Sequence, residues 1–137
     1  MKRSATAVWN GSGKDGKGII TSQSKVLDKI SYTARTRFEV AEGTSPEELL
    51  AAAHAACFNM KLSFAINEAG ATAESIETTC TITVENFVIN NSHLVVKAKV
   101  PGMSPEKFQE AAEDARKNCP VSALFKTEIT MNAQLLQ

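Results

Sequence analysis

Tryptophan and tyrosine occur once each in this chain and histidine twice, and the three cysteines, Cys57, Cys80 and Cys119, contain no CxxC pair. Without CxxC, the spacings of zinc knuckles and of thioredoxin-type redox centres are excluded. No ligand cluster presents itself for a metal, a haem or an iron–sulfur group, so no cofactor is expected. There is no basic run or stripe either: 15 Lys and Arg residues are scattered among 15 Asp and Glu, which leaves nucleic acid no electrostatic footprint. A membrane role has as little support. The start, Met1-Lys2-Arg3-Ser4, is basic, but Ala5-Thr6-Ala7-Val8-Trp9-Asn10 is too short and too mixed for the apolar centre of a signal peptide. The expectation is a cytoplasmic protein, in which any bridge among the cysteines is transient and catalytic rather than structural.

What is present is the composition of a soluble globular chain. Its 137 residues are 43% hydrophobic and 22% charged, the size of one domain spanning 1–137. Ala5 to Asn10 and Gly18 to Gln23 read as strands around a glycine-rich turn at Gly11 to Gly16. Ser31 to Val40 alternates and is rich in β-branched and aromatic residues, which predicts a strand carrying Arg35 and Arg37 on one face. At Ser45-Pro46-Glu47-Glu48 the pattern becomes a helix start, with Ser45 as N-cap, Pro46 at the first helical position and Glu48 closing a capping box.

That helix should run to about Gly70. It is apolar almost all round from Leu49 to Phe64, the mark of a buried helix, and its alanines permit close backbone approach. A helix about 36 Å long is hard to cover on every side in so short a chain, which implies a second subunit. Thr78 to Phe87 and His93 to Val100 read as two further strands joined through Asn90-Asn91. A second helix starts at Ser104-Pro105-Glu106, presents Phe108, Ala111, Ala112 and Ala115 on one face, and ends near Asn118. Cys119-Pro120 opens a short helical turn, and a strand over roughly Thr127 to Leu135 completes an α+β arrangement.

Local physics ranks the thiols. Cys57 lies mid-helix with Leu50, Ala53, Met60 and Phe64 on its face, where a cysteine is ordinarily a small inert hydrophobe. To be a nucleophile it needs a cation beside it, because the reactive form is the thiolate. Cys119, held out of helical geometry by Pro120, is placed to cap the next helix with amides close to its sulfur, and on these grounds is the better activated thiol. Cys80, within Thr78 to Thr83, reads as a strand core residue. His54 stands three residues before Cys57, a spacing that permits a Cys–His pair, and His93 has no evident partner.

Taken in order, Thr36-Arg37-Phe38-Glu39, Gly43-Thr44, Ser45-Pro46-Glu47-Glu48-Leu49, Ala53-His54-Ala55-Ala56-Cys57-Phe58, Asn118-Cys119-Pro120-Val121-Ser122 and Glu128-Ile129-Thr130 resemble the OsmC/Ohr family of thiol peroxidases, and its OsmC branch more closely. The resemblance covers nearly the whole chain. It implies an intertwined α+β homodimer with antiparallel sheets around a long buried central helix. It also implies that Cys57 is the peroxidatic residue and Cys119 the resolving one, reversing the local ranking. Arg37 matches the position of the arginine that activates the thiolate, with Arg35 as rival, and a guanidinium there would lower the thiol pKa and orient the peroxide. Glu47 matches the family's active-site carboxylate. Ten residues along a helix separate it from Cys57 by about 15 Å, so it would serve from the partner subunit, or from a bent helix, by holding the arginine.

The cycle implied is attack of the Cys57 thiolate on an organic hydroperoxide, condensation of the sulfenic acid with Cys119, and reduction of the disulfide by a dithiol, with lipoylated protein as the reductant the resemblance points to. Phe58, Met60, Phe64 and Phe125 are the apolar residues that would favour bulky peroxides. Lys61 puts an unexpected charge one turn from Cys57, and the Val88 to Leu94 connection is brief. Two other classes stay open: a cysteine acyl hydrolase pairing Cys57 with His54, and a non-catalytic stress or ligand-binding module with inert thiols.

Overall fold

The glycine-rich segment at 11–16 makes the expected hairpin. In a computed structural model describing every residue from Met1 to Gln137, β1 (Ala5–Asn10) and β2 (Lys17–Ser22) pair antiparallel, and β3 (Ile30–Thr33) completes a sheet in the order β1-β2-β3. Gly18 sits under two rings, where a Cβ would lie 2.3 Å from Tyr32 and 2.8 Å from Trp9, so only glycine lets Trp9 and Tyr32 meet over it, tilted by 45° with centroids 5.4 Å apart. These strands belong to the first of two compact units, Met1–Leu49 and Leu50–Gln137.

The strand expected over Ser31 to Val40 stops early. Thr33 takes extended geometry and accepts the Thr36 backbone N–H on its side chain, while the Thr36 hydroxyl reaches back to the Thr33 backbone N–H. That reciprocal cap starts α1 (Ala34–Phe38). Arg35 and Arg37 are therefore helical neighbours pointing different ways, not a pair on one strand face. The loop that follows is pinned to β3, where Thr44 donates its backbone N–H to the Ser31 carbonyl at 2.9 Å. Gly43, at φ 109° and with a virtual Cβ 2.4 Å from that carbonyl, is the residue that permits the approach.

Helix α2 (Pro46–Glu68) begins as the sequence indicates, with Ser45 Oγ accepting the Glu48 backbone N–H at 3.1 Å. The other half of the capping box is diverted: the Glu48 carboxylate accepts the Thr44 hydroxyl at 2.7 Å.

In the second unit β4 (Ser75–Glu85) and β5 (Val88–Lys99) pair antiparallel through a turn at Asn86-Phe87, both at positive φ. Asn90 and Asn91, read as the turn in the sequence, lie within β5 instead; asparagine tolerates the left-handed region well, but Phe87 gives no such signal. Chain reversal then passes through α3 (Pro105–Asn118) and α4 (Pro120–Leu124) before β6 (Glu128–Leu136) pairs parallel to β5. A crossover through helices is what a parallel pair requires, so this sheet, ordered β4-β5-β6, is mixed rather than wholly antiparallel.

The core fills the space between α2, α3 and β5. Alternate residues Leu94, Val96 and Ala98 of β5 point inward to meet Phe58, Leu62 and Ile66 of α2 and Phe108, Ala111, Ala112 and Ala115 of α3, the α3 face anticipated from spacing. The central helix is thus committed on one face. Its opposite stripe, Ala53, Ala56, Met60 and Phe64, is exposed, Met60 to 64% and Phe64 to 59%, so the all-round burial expected of it is not supplied within one chain. Lys61 escapes the core by pairing with Asp114 of α3 at 3.7 Å.

Candidate active site

Two thiols meet where α2 passes the α3–α4 junction. Pro120 keeps Cys119 at φ −65° and ψ 140°, which ends α3 and makes Cys119 the N-cap of α4, with its sulfur accepting the Ser122 backbone N–H at 3.4 Å. The sequence placed this cap correctly. Cys119 is fully buried, and its sulfur also lies 2.9 Å from the Ser122 hydroxyl. The Cys57 thiol, half-buried on α2, has the Cys119 thiol and the Val121 backbone N–H as the near neighbours that act on it, and both cysteines are free. Burial pushes the Cys57 thiol above its ordinary pKa; the Val121 N–H works against the rise and the neighbouring Cys119 adds to it. None of the groups in its own unit that act on that sulfur is a cation.

Behind Cys119 runs a buried polar chain that sequence reasoning missed. His54 is fully buried, with Nε2 2.7 Å from Ser122 Oγ and Nδ1 2.6 Å from Ser92 Oγ. The Ser92 hydroxyl in turn lies 3.3 Å from the Cys80 sulfur, and the edge of the imidazole meets the Phe125 ring at 5.0 Å. Burial lowers the His54 pKa, so the ring is neutral. Burial likewise raises the Cys80 thiol, with the Ser92 hydrogen bond opposing it. Both ring nitrogens of His54 are occupied by serines, so the Cys57–His54 pair is not formed. Two signals were readable in advance: Ser92 has the inward parity of Leu94 and Val96, and His54 falls on the Phe58–Leu62 helix face.

In the first unit Arg37 and Glu47 come together. The Arg37 guanidinium donates Nε to both Glu47 carboxylate oxygens, at 3.1 and 3.3 Å, and one terminal nitrogen to Oε1. Burial alone would raise the Glu47 carboxyl, but the hydrogen bond from Arg37, a backbone hydrogen bond and the guanidinium charge hold it below the usual carboxylate range. The same hydrogen bond raises Arg37. Arg35, the rival, instead pairs with exposed Glu39 at 3.1 Å. His93 bonds the Thr130 hydroxyl at 2.6 Å, a partner brought by the β5–β6 pairing and invisible in local sequence. Of the apolar residues expected near the thiol, Phe58 is core, Phe125 lies against His54, and Met60 and Phe64 are on the exposed stripe. No group of three or more His, Cys, Asp and Glu side chains gathers where it could hold a metal ion.

Comparison with known proteins returns a family model described as OsmC-like protein, matching residues 39–134. Peroxiredoxin OsmC of Escherichia coli is 42% identical over 139 aligned positions, covering 98% of this chain and 97% of that protein. Organic hydroperoxide resistance protein-like 1 of Staphylococcus saprophyticus is 25% identical over 93% of this chain and 91% of its own length. Among solved structures, an OsmC-like protein from Mycoplasma pneumoniae superposes with a TM-score of 0.78 at 20% identity, covering 100% of this chain and 99% of that one, which is a likeness of fold.

Proposed function

The chain belongs to the OsmC family, and from that premise we propose how its residues divide the work of a thiol peroxidase. The enzyme is of the peroxiredoxin type and reduces organic hydroperoxides to alcohols. Cys57 attacks the distal oxygen of ROOH as a thiolate, leaving a Cys57 sulfenic acid and an alcohol. Cys119 then condenses with it, giving a Cys57–Cys119 disulfide and water, and a dithiol returns both thiols by exchange. The observation that carries this reading is that the two thiols are near enough for Cys119 to act on the titration of Cys57, one on a core helix and one at a cap, far apart in sequence. Inert cysteines have no need of each other. An acyl hydrolase would need a base at Cys57, and both nitrogens of His54 are taken.

Arg37, steadied by Glu47, is the cation that activates Cys57, and both come from the partner subunit of a homodimer. Two facts support this arrangement: nothing acting on the Cys57 sulfur within its own unit is cationic, and the apolar stripe of α2 stands uncovered. The residues from 1 to 137 act as one domain, the working location is the cytoplasm, the role is defence against oxidative or osmotic stress, and the reductant is a lipoylated protein or similar dithiol.

The decisive experiment is stopped-flow oxidation of the reduced protein by cumene hydroperoxide and by hydrogen peroxide, followed by mass mapping of the product. Faster reaction with the organic peroxide and a Cys57–Cys119 bridge is expected. A slow reaction, or a bridge involving Cys80, would overturn the assignment.

A further inference from the structure

The cycle above makes no use of His54, Ser92 or Ser122, yet they are exposed to only 0%, 0% and 4%. An apolar side chain in place of each would fill the space without desolvating three polar groups, so their presence in the core is not explained by packing. Their hydrogen bonds form one continuous line: Cys119 Sγ to Ser122 Oγ at 2.9 Å, Ser122 Oγ to His54 Nε2 at 2.7 Å, His54 Nδ1 to Ser92 Oγ at 2.6 Å, and Ser92 Oγ to Cys80 Sγ at 3.3 Å. A neutral imidazole has one N–H and one lone pair, and each hydroxyl has one proton. The line therefore has a direction. In one direction the Cys119 thiol donates to Ser122, which donates to His54 Nε2. In the other, Ser122 donates to the Cys119 sulfur. The two states differ by the rotation of hydroxyls and the passage of protons along bonds already made.

We propose that Ser122 and His54 form a proton relay that draws the proton from Cys119 as it attacks the Cys57 sulfenic acid. Ser122 touches the reacting sulfur and is a catalytic residue; His54 acts through it and is a positioning residue, with Ser92 fixing its tautomer. The inference rests on Cys119 being the resolving thiol. In the step, an electron pair of the Cys119 sulfur forms the S–S bond while the Cys57 S–O bond breaks, its pair leaving on hydroxide. The Cys119 sulfur is oxidised and the sulfenic sulfur reduced. The thiol proton passes to Ser122 as the serine's own passes to Nε2. The departing hydroxide takes a proton from solvent at the half-buried Cys57, giving water, and the ring gives its proton back through Ser122 when Cys119 is next released as a thiolate. The relay is needed because Cys119 is fully buried, out of reach of solvent base. The titratable groups facing the imidazole within its unit are Cys80 from β4 and, through Ser122, Cys119; no carboxylate or ammonium group bonds it.

The test is a single-turnover measurement on the full chain. Reduced protein receives one equivalent of cumene hydroperoxide and is quenched at intervals from about pH 6 to about pH 8, with sulfenic acid trapped by dimedone and disulfide counted by mass spectrometry. In the wild type, disulfide formation should depend weakly on pH. In Ser122→Ala and His54→Asn it should slow by about 10–100-fold, several times more than the peroxide-consuming step. It should also steepen to about tenfold per pH unit, because the thiolate must then be made by hydroxide. Ser122→Thr, which keeps the hydroxyl, should restore the shallow profile. A loosened core would slow both steps and leave the slope alone, and that outcome overturns the relay, as does an unchanged disulfide rate in Ser122→Ala. If His54→Asn does not fold, the two serine variants decide. Failure of the wild type to form a Cys57–Cys119 bridge at all would overturn the roles of the two cysteines first, and the relay with them.

Discussion

Glu47→Gln separates charge from shape at the pair proposed to activate the thiol. The Glu47 side chain is 11% exposed and that of Arg37 40%, with three donor–acceptor contacts between them. Breaking a fully buried pair costs about 3–5 kcal/mol. An exposed one is worth about 0–1 kcal/mol. Solvent screening at the half-open guanidinium places this pair between, at about 1–2 kcal/mol of unfolding free energy at neutral pH. The folded Glu47 carboxyl is held below its usual pKa, so it binds its proton more weakly folded than unfolded. Its contribution is thus fully present above the unfolded value of about 4.3 and fades as pH falls from there through the folded value. Wild type and Glu47→Gln should differ by the full amount at neutral pH and converge in acid. Urea unfolding at fixed protein concentration measures the gap, and stopped-flow reaction of Cys57 with cumene hydroperoxide, expected to slow about tenfold, measures the consequence. A gap that persists undiminished in acid would refute the ion pair. A gap that closes while Cys57 reacts at its full rate would refute Arg37 as the activator.

Cys119→Ala should consume one equivalent of peroxide at nearly the wild-type rate and then stop, with dimedone trapping the sulfenic acid at Cys57. Thr33→Ala removes the cap oxygen of α1 and should cost about 1 kcal/mol in urea unfolding, with slower peroxide reaction because Arg37 sits on that helix. Phe64→Glu puts a charge in the exposed apolar stripe of α2 and should weaken the proposed homodimer by about 2 kcal/mol or more, read as a shift toward monomer in light scattering and a loss of peroxidase rate with it.

The parts of this fold that were legible in the sequence are those in which a local rule met no competitor. Ser104-Pro105-Glu106 starts α3 and Asn118-Cys119-Pro120 ends it because proline geometry and capping act within a few residues. The buried α3 face followed from spacing alone. Reading failed where two local rules compete: Thr33, Thr36 and Phe38 favour a strand by type, yet the two threonines cap a helix by position, and the cap prevails. It failed again where a partner arrives from a distance. Ser92 and Ser122 flank His54 from 38 and 68 residues away, and only the β5 register and the α4 cap bring them there. Arg37 and Glu47 were named by family likeness, whereas their contact depends on Gly43 letting the chain cross β3.

The proposed reversal of the two cysteines has a physical account in the same terms. Local structure gives Cys119 the Ser122 amide, and gives Cys57 a helix interior where burial outweighs the Val121 amide, so the Cys57 thiol is held above its ordinary pKa. A peroxidatic thiol in that state would be almost wholly protonated at neutral pH. A guanidinium at about 4 Å, with an effective dielectric of about 20, favours the thiolate by about 4 kcal/mol, which lowers its pKa by about three. Arg37 is suited to this: Nε and one terminal nitrogen are spent on Glu47, and the other terminal nitrogen makes no hydrogen bond within the chain. If that nitrogen reaches Cys57 only across a subunit interface, the reactive thiolate exists only in the assembled dimer. The isolated chain then keeps an inert thiol, and the iodoacetamide reactivity of Cys57 should fall with dilution in parallel with the dimer population. Reactivity independent of dimer population would mean that the activating cation comes from the chain's own first unit.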